Sequence, residues 1–376
     1  MNRRQFLSGV GASGLLLAGC LSPDYTKTLV YSADEPVIAG PTITNETAYF
    51  TIRVRSSRLN EVNAGTLLGV DLSSGTLTDE IPYIVEYPTW DHELPLQSTR
   101  PVVDDQQVFI GGRAPVAYTL TGEKLWTIDL PDRFKAQSSL RPPRVTDDTV
   151  YFGLSTGGVC ALHRQTGEVL WKTSLVESQR VAGLDVLENS VIAIHSKGVI
   201  AMLNPESGDI ERQRTLGSTG GDDPFTNGSA PHIVDGEIYV VGDGIVFRFD
   251  SELRTVWERA LPTEWAITPI VTRNSCYVVG GNPDESRGYL YKIDRESGRI
   301  EQEKSRSADL SGWQALKFDN QIYTGGRGGD RESVVVMTLD GDVVYEIPFE
   351  SQIAGIRGLE GSVGVLTTDG DLFTVK

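Results

Sequence analysis

Cysteine is scarce in this sequence of 376 residues, which contains three cysteines and three methionines. Cys20 stands near the amino terminus, whereas Cys160 and Cys276 lie in separate apolar runs. Three cysteines at such spacings do not support a disulfide scaffold. We therefore expect Cys160 and Cys276 to be buried free thiols.

Histidine is equally scarce, and its distribution argues against a metal centre. No histidine has a second ligand at metal-binding spacing. No Gly-x-Ser-x-Gly nucleophile motif precedes a helix, and the GRGGD run at 326–330 lacks the following helix that a phosphate loop needs. The sequence predicts no catalytic residue and no metal ligand. The four histidines are His92, His163, His195 and His232.

Basic residues are outnumbered, with 34 Lys and Arg against 51 Asp and Glu, and the formal net charge is −17. Binding the phosphates of a nucleic acid requires a basic surface, so nucleic acid is not an expected partner. An acidic surface of this kind favours solubility.

Long hydrophobic runs and long amphipathic helices are missing after residue 20. Instead, 40 glycines are spread among short runs rich in Val and Ile, a pattern typical of short strands joined by tight turns. The apolar stretch before Cys20 is too short, and too rich in Gly and Ser, to span a bilayer comfortably. It therefore predicts an export signal.

The amino terminus resembles two export motifs. Arg3 and Arg4, followed by QFL, resemble the twin-arginine signal, and LAGC at 17–20 resembles the lipobox of lipoproteins. The resemblance implies a signal peptide over residues 1–19, lipidation of Cys20 and a lipidated tether over residues 20–26. The alternative is an ordinary signal peptide whose cysteine is incidental. With the acidic composition, these motifs resemble those of secreted proteins from halophilic archaea.

One short motif recurs along the rest of the chain. A polar turn followed by a strand-like run occurs eight times, and after a first step of 60 residues the copies are spaced by 38 to 47 residues. That spacing is typical of four-stranded propeller blades. The equivalent positions are Tyr49, Phe109, Tyr151, Ile192, Tyr239, Tyr277, Tyr323 and Gly364.

A second motif follows most copies, in which a hairpin glycine precedes an aromatic residue by four positions. The clearest examples are TGEKLW and TGEVLW. Leu253 replaces the glycine in one copy, so that turn is expected to differ or to be mildly strained. The residues of this motif that we single out are Gly122, Trp126, Gly167, Trp171, Trp257 and Tyr345.

The TGEKLW and TGEVLW motifs resemble the PQQ-like β-propeller repeat, and the resemblance covers nearly the whole chain after the signal. It implies an all-β fold: an eight-bladed β-propeller of four-stranded antiparallel blades over residues 27–376. In that family the tryptophan packs between neighbouring blades beside the glycine turn. The singled-out Gly, Trp and Tyr residues are therefore expected to dock blades and not to hold a cofactor.

The two chain ends predict how the ring closes. The chain stops at the third strand of the eighth repeat, and the TLVYS run from Thr28 to Ser32 is a strand without a repeat of its own. We expect this N-terminal strand to complete the last blade, with Tyr31 in its aromatic position. Such sharing removes a free blade edge.

Insertions predict the binding face. In an antiparallel blade the first and third turns lie on one face, and the remaining connections lie on the other. The insertions, at residues 53–64, 83–97, 216–228, 283–288, 303–312 and 327–332, all fall on the second face, where binding residues are expected. The 82–97 segment contains the candidate partner-binding residues Tyr83, Tyr87, Trp90 and His92. The alternative is that this loop packs its aromatics onto its own blade.

Two acidic loops could offer oxygen ligands to a hard cation. Neither has the spacing of a known calcium loop, and solvated acidic turns are the alternative. The residues are Asp222, Asp223 and Asn227 in one loop and Asn282, Asp284 and Glu285 in the other.

The resemblance also raises the possibility of a quinone cofactor. Quinoprotein dehydrogenases with this repeat hold PQQ with an adjacent cysteine pair, a tryptophan floor and a calcium site. This chain has no adjacent cysteines and no recognisable calcium set, so we expect no cofactor. It is more similar to the non-enzymatic members, such as the outer-membrane assembly lipoprotein.

The expected function is that of a monomeric, non-catalytic lipoprotein on the extracellular face of the cytoplasmic membrane. It would bind or scaffold envelope or secreted proteins. The alternatives are a PQQ-dependent oxidoreductase and a carbohydrate or peptide binder that uses the aromatic loop.

Overall fold

The computed structural model describes residues 25–376, apart from 34, 45, 55–62, 86–98, 105, 113–114, 129–140, 177–179, 218–224, 226–229, 243, 268, 283–284, 286, 307–309, 311–314 and 329–330. Within this part of the chain the extended elements are 33 β-strands, which form eight antiparallel sheets arranged in a ring. The prediction of an all-β, eight-bladed propeller is confirmed.

We number the sheets as blades 1 to 8 and give each blade from its innermost strand outward. Blades 1 to 4 comprise β2 (Val37–Thr44), β3 (Thr47–Val54), β4 (Asn63–Asp71) and β5 (Leu77–Val85); β6 (Val102–Val103), β7 (Gln107–Ile110), β8 (Val116–Thr119) and β9 (Lys124–Thr127); β10 (Arg144–Val145), β11 (Thr149–Gly153), β12 (Gly158–His163) and β13 (Val169–Ser174); and β14 (Val181–Leu187), β15 (Ser190–His195), β16 (Val199–Leu203) and β17 (Ile210–Thr215).

Blade 6 differs from the others in that two short strands share its inner edge. Blades 5 to 8 comprise β18 (His232–Val234), β19 (Glu237–Gly242), β20 (Ile245–Phe249) and β21 (Thr255–Ala260); β22 (Trp265–Ala266) with β23 (Ile270–Val271), β24 (Ser275–Asn282), β25 (Arg287–Asp294) and β26 (Ile300–Arg306); β27 (Ala315–Phe318), β28 (Gln321–Gly328), β29 (Arg331–Thr338) and β30 (Val343–Phe349); and β31 (Ile353–Leu359), β32 (Ser362–Thr367), β33 (Asp371–Val375) and β1 (Lys27–Ser32).

Burial follows the radial position of each strand. The second strand of blade 4, β15, has the sequence SVIAIH and is buried from Val191 to His195, because neighbouring blades cover both of its faces. The outer strand of the same blade, β17, has the sequence IERQRT and is exposed throughout. The hydrophobic core is therefore a ring of apolar layers between blades.

The ring closes through the N-terminal strand, as predicted. β1 pairs antiparallel with β33, with Lys27 opposite Val375 and Ser32 opposite Asp371. Beyond the strands, the backbone N–H of Thr26 donates to the carbonyl of Lys376 at 3.0 Å. The first and last strands of the chain thus complete one sheet.

One detail of the closure differs from the prediction. The register places Thr28, not Tyr31, in the aromatic position of blade 8, because Thr28 and Trp126 both lie two strands outward from the aligned residue of the repeat. Tyr31 lies three residues further along β1, beyond a bulge, opposite Leu372. Its ring packs against Phe50 of blade 1 at a centroid distance of 6.4 Å.

Candidate binding face and the contacts that support it

The two ends of the ring differ in the length of their connections. We call the end with the first and third turns of each blade the tight-turn face, since the strands there are separated by six residues at most. The opposite end is the long-connection face. At this end, the interblade segments 86–101, 128–143 and 216–231 separate β5 from β6, β9 from β10 and β17 from β18.

The strand bounds correct the set of insertions. Segment 128–143 matches the other two interblade segments in length but is missing from the predicted set. Conversely, β24 ends at Asn282 and β25 begins at Arg287. In the same way, β28 ends at Gly328 and β29 begins at Arg331. The predicted insertions at 283–288 and 327–332 are therefore the ends of short hairpins.

Three of the predicted partner-binding and acidic-loop residues fall within the described structure. Tyr83 lies in β5, opposite Gly65 of β4. Asn282 ends β24, where its side-chain oxygen accepts a hydrogen bond from the backbone N–H of Glu264 at 2.8 Å, and Glu285 is exposed. The predicted residues outside the described part are Arg3, Arg4, Cys20, Tyr87, Trp90, His92, Asp222, Asp223, Asn227 and Asp284.

The singled-out tryptophans lie at blade boundaries. The indole N–H of Trp126 in blade 2 donates to the carbonyl of Arg164 in blade 3 at 2.7 Å. Gly167, at a φ of +70°, faces the same ring, and a Cβ there would lie 2.8 Å from it. The same contacts join Trp171 with Pro205 and Gly208, and Trp257 with Arg295 and Gly298.

The hairpin turn in which Leu253 replaces the glycine is strained, as expected. Leu253 adopts a positive φ of 57° and is 4 % exposed, so its burial offsets a backbone conformation that costs a leucine free energy. Across the boundary, Arg212 of blade 4 takes the position of the tryptophan. It donates to the carbonyl of Glu252 at 2.6 Å and pairs with the carboxylate of the same residue.

An arginine at the tight-turn face adds a polar contact that sequence reasoning missed. Arg164 of blade 3 reaches back to blade 2, where it pairs with Asp104 at 2.5 Å and donates to the side chain of Gln107 at 2.7 Å. It also donates to the carbonyl of Thr146 at 3.2 Å.

The same contact recurs between blades 5 and 6. Arg295 pairs with Asp235 at 2.7 Å and with Glu237 at 3.0 Å, and it donates to the hydroxyl of Tyr239 at 2.9 Å. Arg164 and Arg295 both stand three residues before a turn glycine. This shared position in the repeat could have predicted the two arginine contacts from the sequence.

Phe225 anchors one long interblade segment. The side chain is fully buried, and a Cβ on Gly198 or Gly242 would lie 2.6 Å or 2.1 Å from its ring. Its backbone N–H donates to the carbonyl of Ser196 at 3.1 Å. Phe225 itself is thus held against blades 4 and 5.

The described histidines are in three different blades. The Nδ1 atom of His163 accepts a hydrogen bond from the backbone N–H of Gln165 at 3.3 Å, and that of His195 accepts one from Lys197 at 3.1 Å. Burial lowers the pKa of His232. Over the described ranges, no three His, Cys, Asp or Glu side chains are grouped so as to hold a metal ion.

Cys160 and Cys276 are buried free thiols, as expected. Burial raises the pKa of Cys160 to about 11 and that of Cys276 to about 12.

Because the thiolate is the nucleophile, a Cys20→Ser variant should react with a disulfide reagent at pH 8 only after unfolding. Rapid labelling of the folded variant would contradict this burial. The measurement is the time course of released thiolate with and without denaturant.

The described part of the chain contains no helix that is long and apolar enough to cross a membrane.

The fold and its interblade contacts define a PQQ-like β-propeller. The family model for the outer membrane protein assembly factor BamB matches residues 86–304, which is more than half of the chain, and the chain belongs to that family. A curated member, BamB from Yersinia pestis, is 26 % identical over 232 residues, covering 57 % of this chain and 55 % of that protein. The chain thus spans about half the length of the curated relative.

Solved structures of proteins with different names and activities share the fold. BamB from Moraxella catarrhalis superimposes with a TM-score of 0.68 at 16 % identity, covering 93 % of this chain and 98 % of that one. A europium-containing methanol dehydrogenase also gives 0.68, at 12 % identity, with 93 % of each chain covered. Quinohemoprotein alcohol dehydrogenase from Comamonas testosteroni gives 0.66 at 12 % identity, with 93 % and 76 % covered. At these identities the likeness establishes the fold alone.

Proposed function

We propose that this protein is a lipoprotein on the extracellular face of the cytoplasmic membrane. In this proposal it binds other envelope proteins through its long-connection face and performs no catalysis. The family relationship supports it, since the matching model describes an outer membrane protein assembly factor. A propeller offers such a protein a rigid base for binding loops.

The direction in which the chain enters the ring is the observation that carries the proposal. Tyr25 and Thr26 precede β1 at the tight-turn face, beside Lys376. If Cys20 is lipidated, the intervening residues span about 18 Å at most, at roughly 3.5 Å per residue. The tight-turn face would then be held near the membrane, and the long-connection face would point away from it.

The anchor can be tested directly. A Cys20→Ser variant should leave the membrane fraction, because losing the acyl chain removes its buried methylene groups at about 0.8 kcal/mol each. The measurement is the distribution of protein between membrane and soluble fractions in high salt, with an Arg299→Gln variant as a control. A Cys20→Ser protein that stays with the membrane would contradict the lipid anchor.

The candidate aromatic residues can be tested together. Replacing Tyr83, Tyr87 and Trp90 with alanine should reduce capture of envelope proteins at least tenfold, since aromatic anchors dominate protein interfaces. The thermal unfolding midpoint should change little, because the interblade tryptophans remain. The measurement is recovery of envelope proteins from native membranes with the lipidated protein. Capture unaffected by the triple substitution would place the binding surface elsewhere.

A quinone assay separates this proposal from the oxidoreductase. Given PQQ and calcium, the purified protein should show neither a bound quinone spectrum nor dye reduction with alcohols or sugars. Stoichiometric quinone binding with turnover would replace the scaffold proposal by catalysis.

A further inference from the structure

A cavity of about 610 Å³ lies at the tight-turn face between blades 2 and 3. Its volume falls within the range of about 300–1,000 Å³ that is typical of small-molecule sites. The lining comes from the inner strands β6 and β10 and from the turns that follow β6, β10 and β12. The cavity is therefore at the opposite end of the ring from the face proposed above for protein partners.

Hydrogen bonds across the blade boundary hold the walls of this cavity in place. Arg164 binds Asp104 of blade 2 at 2.5 Å and the carbonyl of Thr146 of blade 3 at 3.2 Å. The side-chain amide of Gln107 donates to the side-chain oxygen of Gln165 at 2.7 Å, and its backbone N–H donates to Asp104 at 3.0 Å. The cavity is thus preformed, and Arg164 and Asp104 are already engaged with each other.

Arg144 contributes unused hydrogen-bond donors to the lining. Its Nε atom donates to a carboxylate oxygen of Asp185 in blade 4 at 2.9 Å. Over the described residues, its two terminal Nη atoms have no hydrogen-bond acceptor, and the side chain is 33 % exposed. Because a planar guanidinium can donate two parallel hydrogen bonds to a carboxylate, the end of Arg144 can receive such a group.

An arginine at this position is not needed to join the two blades. Arg144 lies opposite Tyr151 in blade 3. The equivalent residue of blade 6 is Ile270, opposite Tyr277, although blades 5 and 6 meet through the same kind of arginine contact as blades 2 and 3. The contact that Arg164 makes therefore does not explain the second arginine.

A carboxylate and an apolar surface complete the lining. Asp147, in the turn after β10, is exposed, and among the described residues its side chain accepts no hydrogen bond and forms no ion pair. Val102, Pro143 and Val145 supply the apolar surface; the proline is buried and the valines are half-buried. One cavity thus combines a cation, a carboxylate and an apolar surface.

We propose that this cavity binds a small zwitterion, namely an amino acid or a dipeptide with an apolar side chain. Arg144 binds the carboxylate of the ligand, Asp147 binds its ammonium group, and the apolar side chain packs on Val102 and Val145. A ligand with one charge would leave either Arg144 or Asp147 without a partner, so complementarity favours the zwitterion. The site does not depend on lipidation or on capture of a protein partner.

The test uses leucine and leucyl-leucine, each also in its N-acetylated and its C-amidated form. Acetylation removes the ammonium charge, and amidation removes the carboxylate charge. A ligand that binds the folded state raises the unfolding midpoint of the full chain with its concentration, at constant ionic strength. We expect at least one zwitterion to raise the midpoint, and calorimetry to show that its two capped forms bind about tenfold more weakly. Binding of leucine alone identifies an amino-acid site, and binding of leucyl-leucine alone identifies a peptide site.

A variant at the exposed turn assigns the ammonium site. Asp147→Asn should bind the zwitterion about tenfold more weakly and no better than the acetylated form, because it removes the charged acceptor. Asp148→Asn is the matched control, since Asp148 is the next residue, is exposed and does not line the cavity. An equal loss of binding in the two variants would contradict the assigned site.

Arg144→Gln assigns the carboxylate site. The variant should bind the zwitterion no better than the amidated form, whereas a structural arginine would lower the unfolding midpoint without changing this preference. No stabilisation by either zwitterion, or equal binding of the zwitterion and its capped forms to the native protein, would overturn the proposal.

Discussion

Deleting residues 28–32 is expected to lower the free energy of unfolding of the propeller strongly. The deletion removes most of β1, leaves β33 as an open edge and strips the apolar cover from blades 8 and 1. The expected loss is about 5 kcal/mol or more, comparable with the entire stability of many domains. Denaturant unfolding followed by circular dichroism measures it.

The matched control is deletion of residues 21–24, which should leave the unfolding midpoint unchanged. Tyr25 is kept because its ring lies 5.6 Å from that of Tyr345 in blade 7. Lys27 is also a structural residue, since its ammonium group lies 4.5 Å from the centre of the Phe349 ring. Equal midpoints for the two deletions would contradict closure by the N-terminal strand.

Replacing Arg295 with alanine is expected to cost about 3 kcal/mol at neutral pH. The Arg295 side chain is 12 % exposed and the Glu237 side chain is 22 % exposed. Removing the arginine leaves this partly buried carboxylate with one guanidinium partner fewer. It also removes the donor to the hydroxyl of Tyr239. Arg299→Ala is the control, and its pair with Glu301 at 4.0 Å should contribute little.

The cost of Arg295→Ala should depend on pH. Burial raises the pKa of Glu237, but hydrogen bonds from Arg248, Tyr239 and Arg295 outweigh it and hold the pKa below its ordinary value. A carboxyl with a lowered pKa stabilises the fold above its unfolded pKa of about 4.3, and that stabilisation is lost as the pH falls through the folded pKa. The difference between wild type and variant should therefore shrink below about pH 4. A difference that grows on acidification would contradict the assigned pair.

The sequence predicted the blades because the repeat combines two local signals. Alternating apolar runs mark strands, and the glycine four residues before Trp126 or Trp171 marks the outer hairpin. The closing strand was also predictable, because residues 28–32 form a strand-like run without a repeat of its own and the eighth repeat has three strands instead of four. The position of Tyr31 was not predictable, because the sequence does not specify the register of β1 against β33, which places Thr28 and not Tyr31 opposite Thr374.

The polar contacts between blades were harder to predict. Arg164 and Asp104 are 60 residues apart, and their side chains meet only because blades 2 and 3 are neighbours in the folded ring. The predicted partner-binding residues Tyr87 and Trp90 lie outside the described structure, and their role stays a prediction.

The central claim is that the long-connection face contacts other envelope proteins. Blade 4 allows a direct comparison, since Lys197 is exposed on that face and Glu188 is exposed on the tight-turn face of the same blade. A photo-crosslinking residue at each position in turn, irradiated in native membranes, reports what each face contacts. We predict cross-links to envelope proteins from position 197 and none from position 188. Cross-links from position 188 alone would contradict the account.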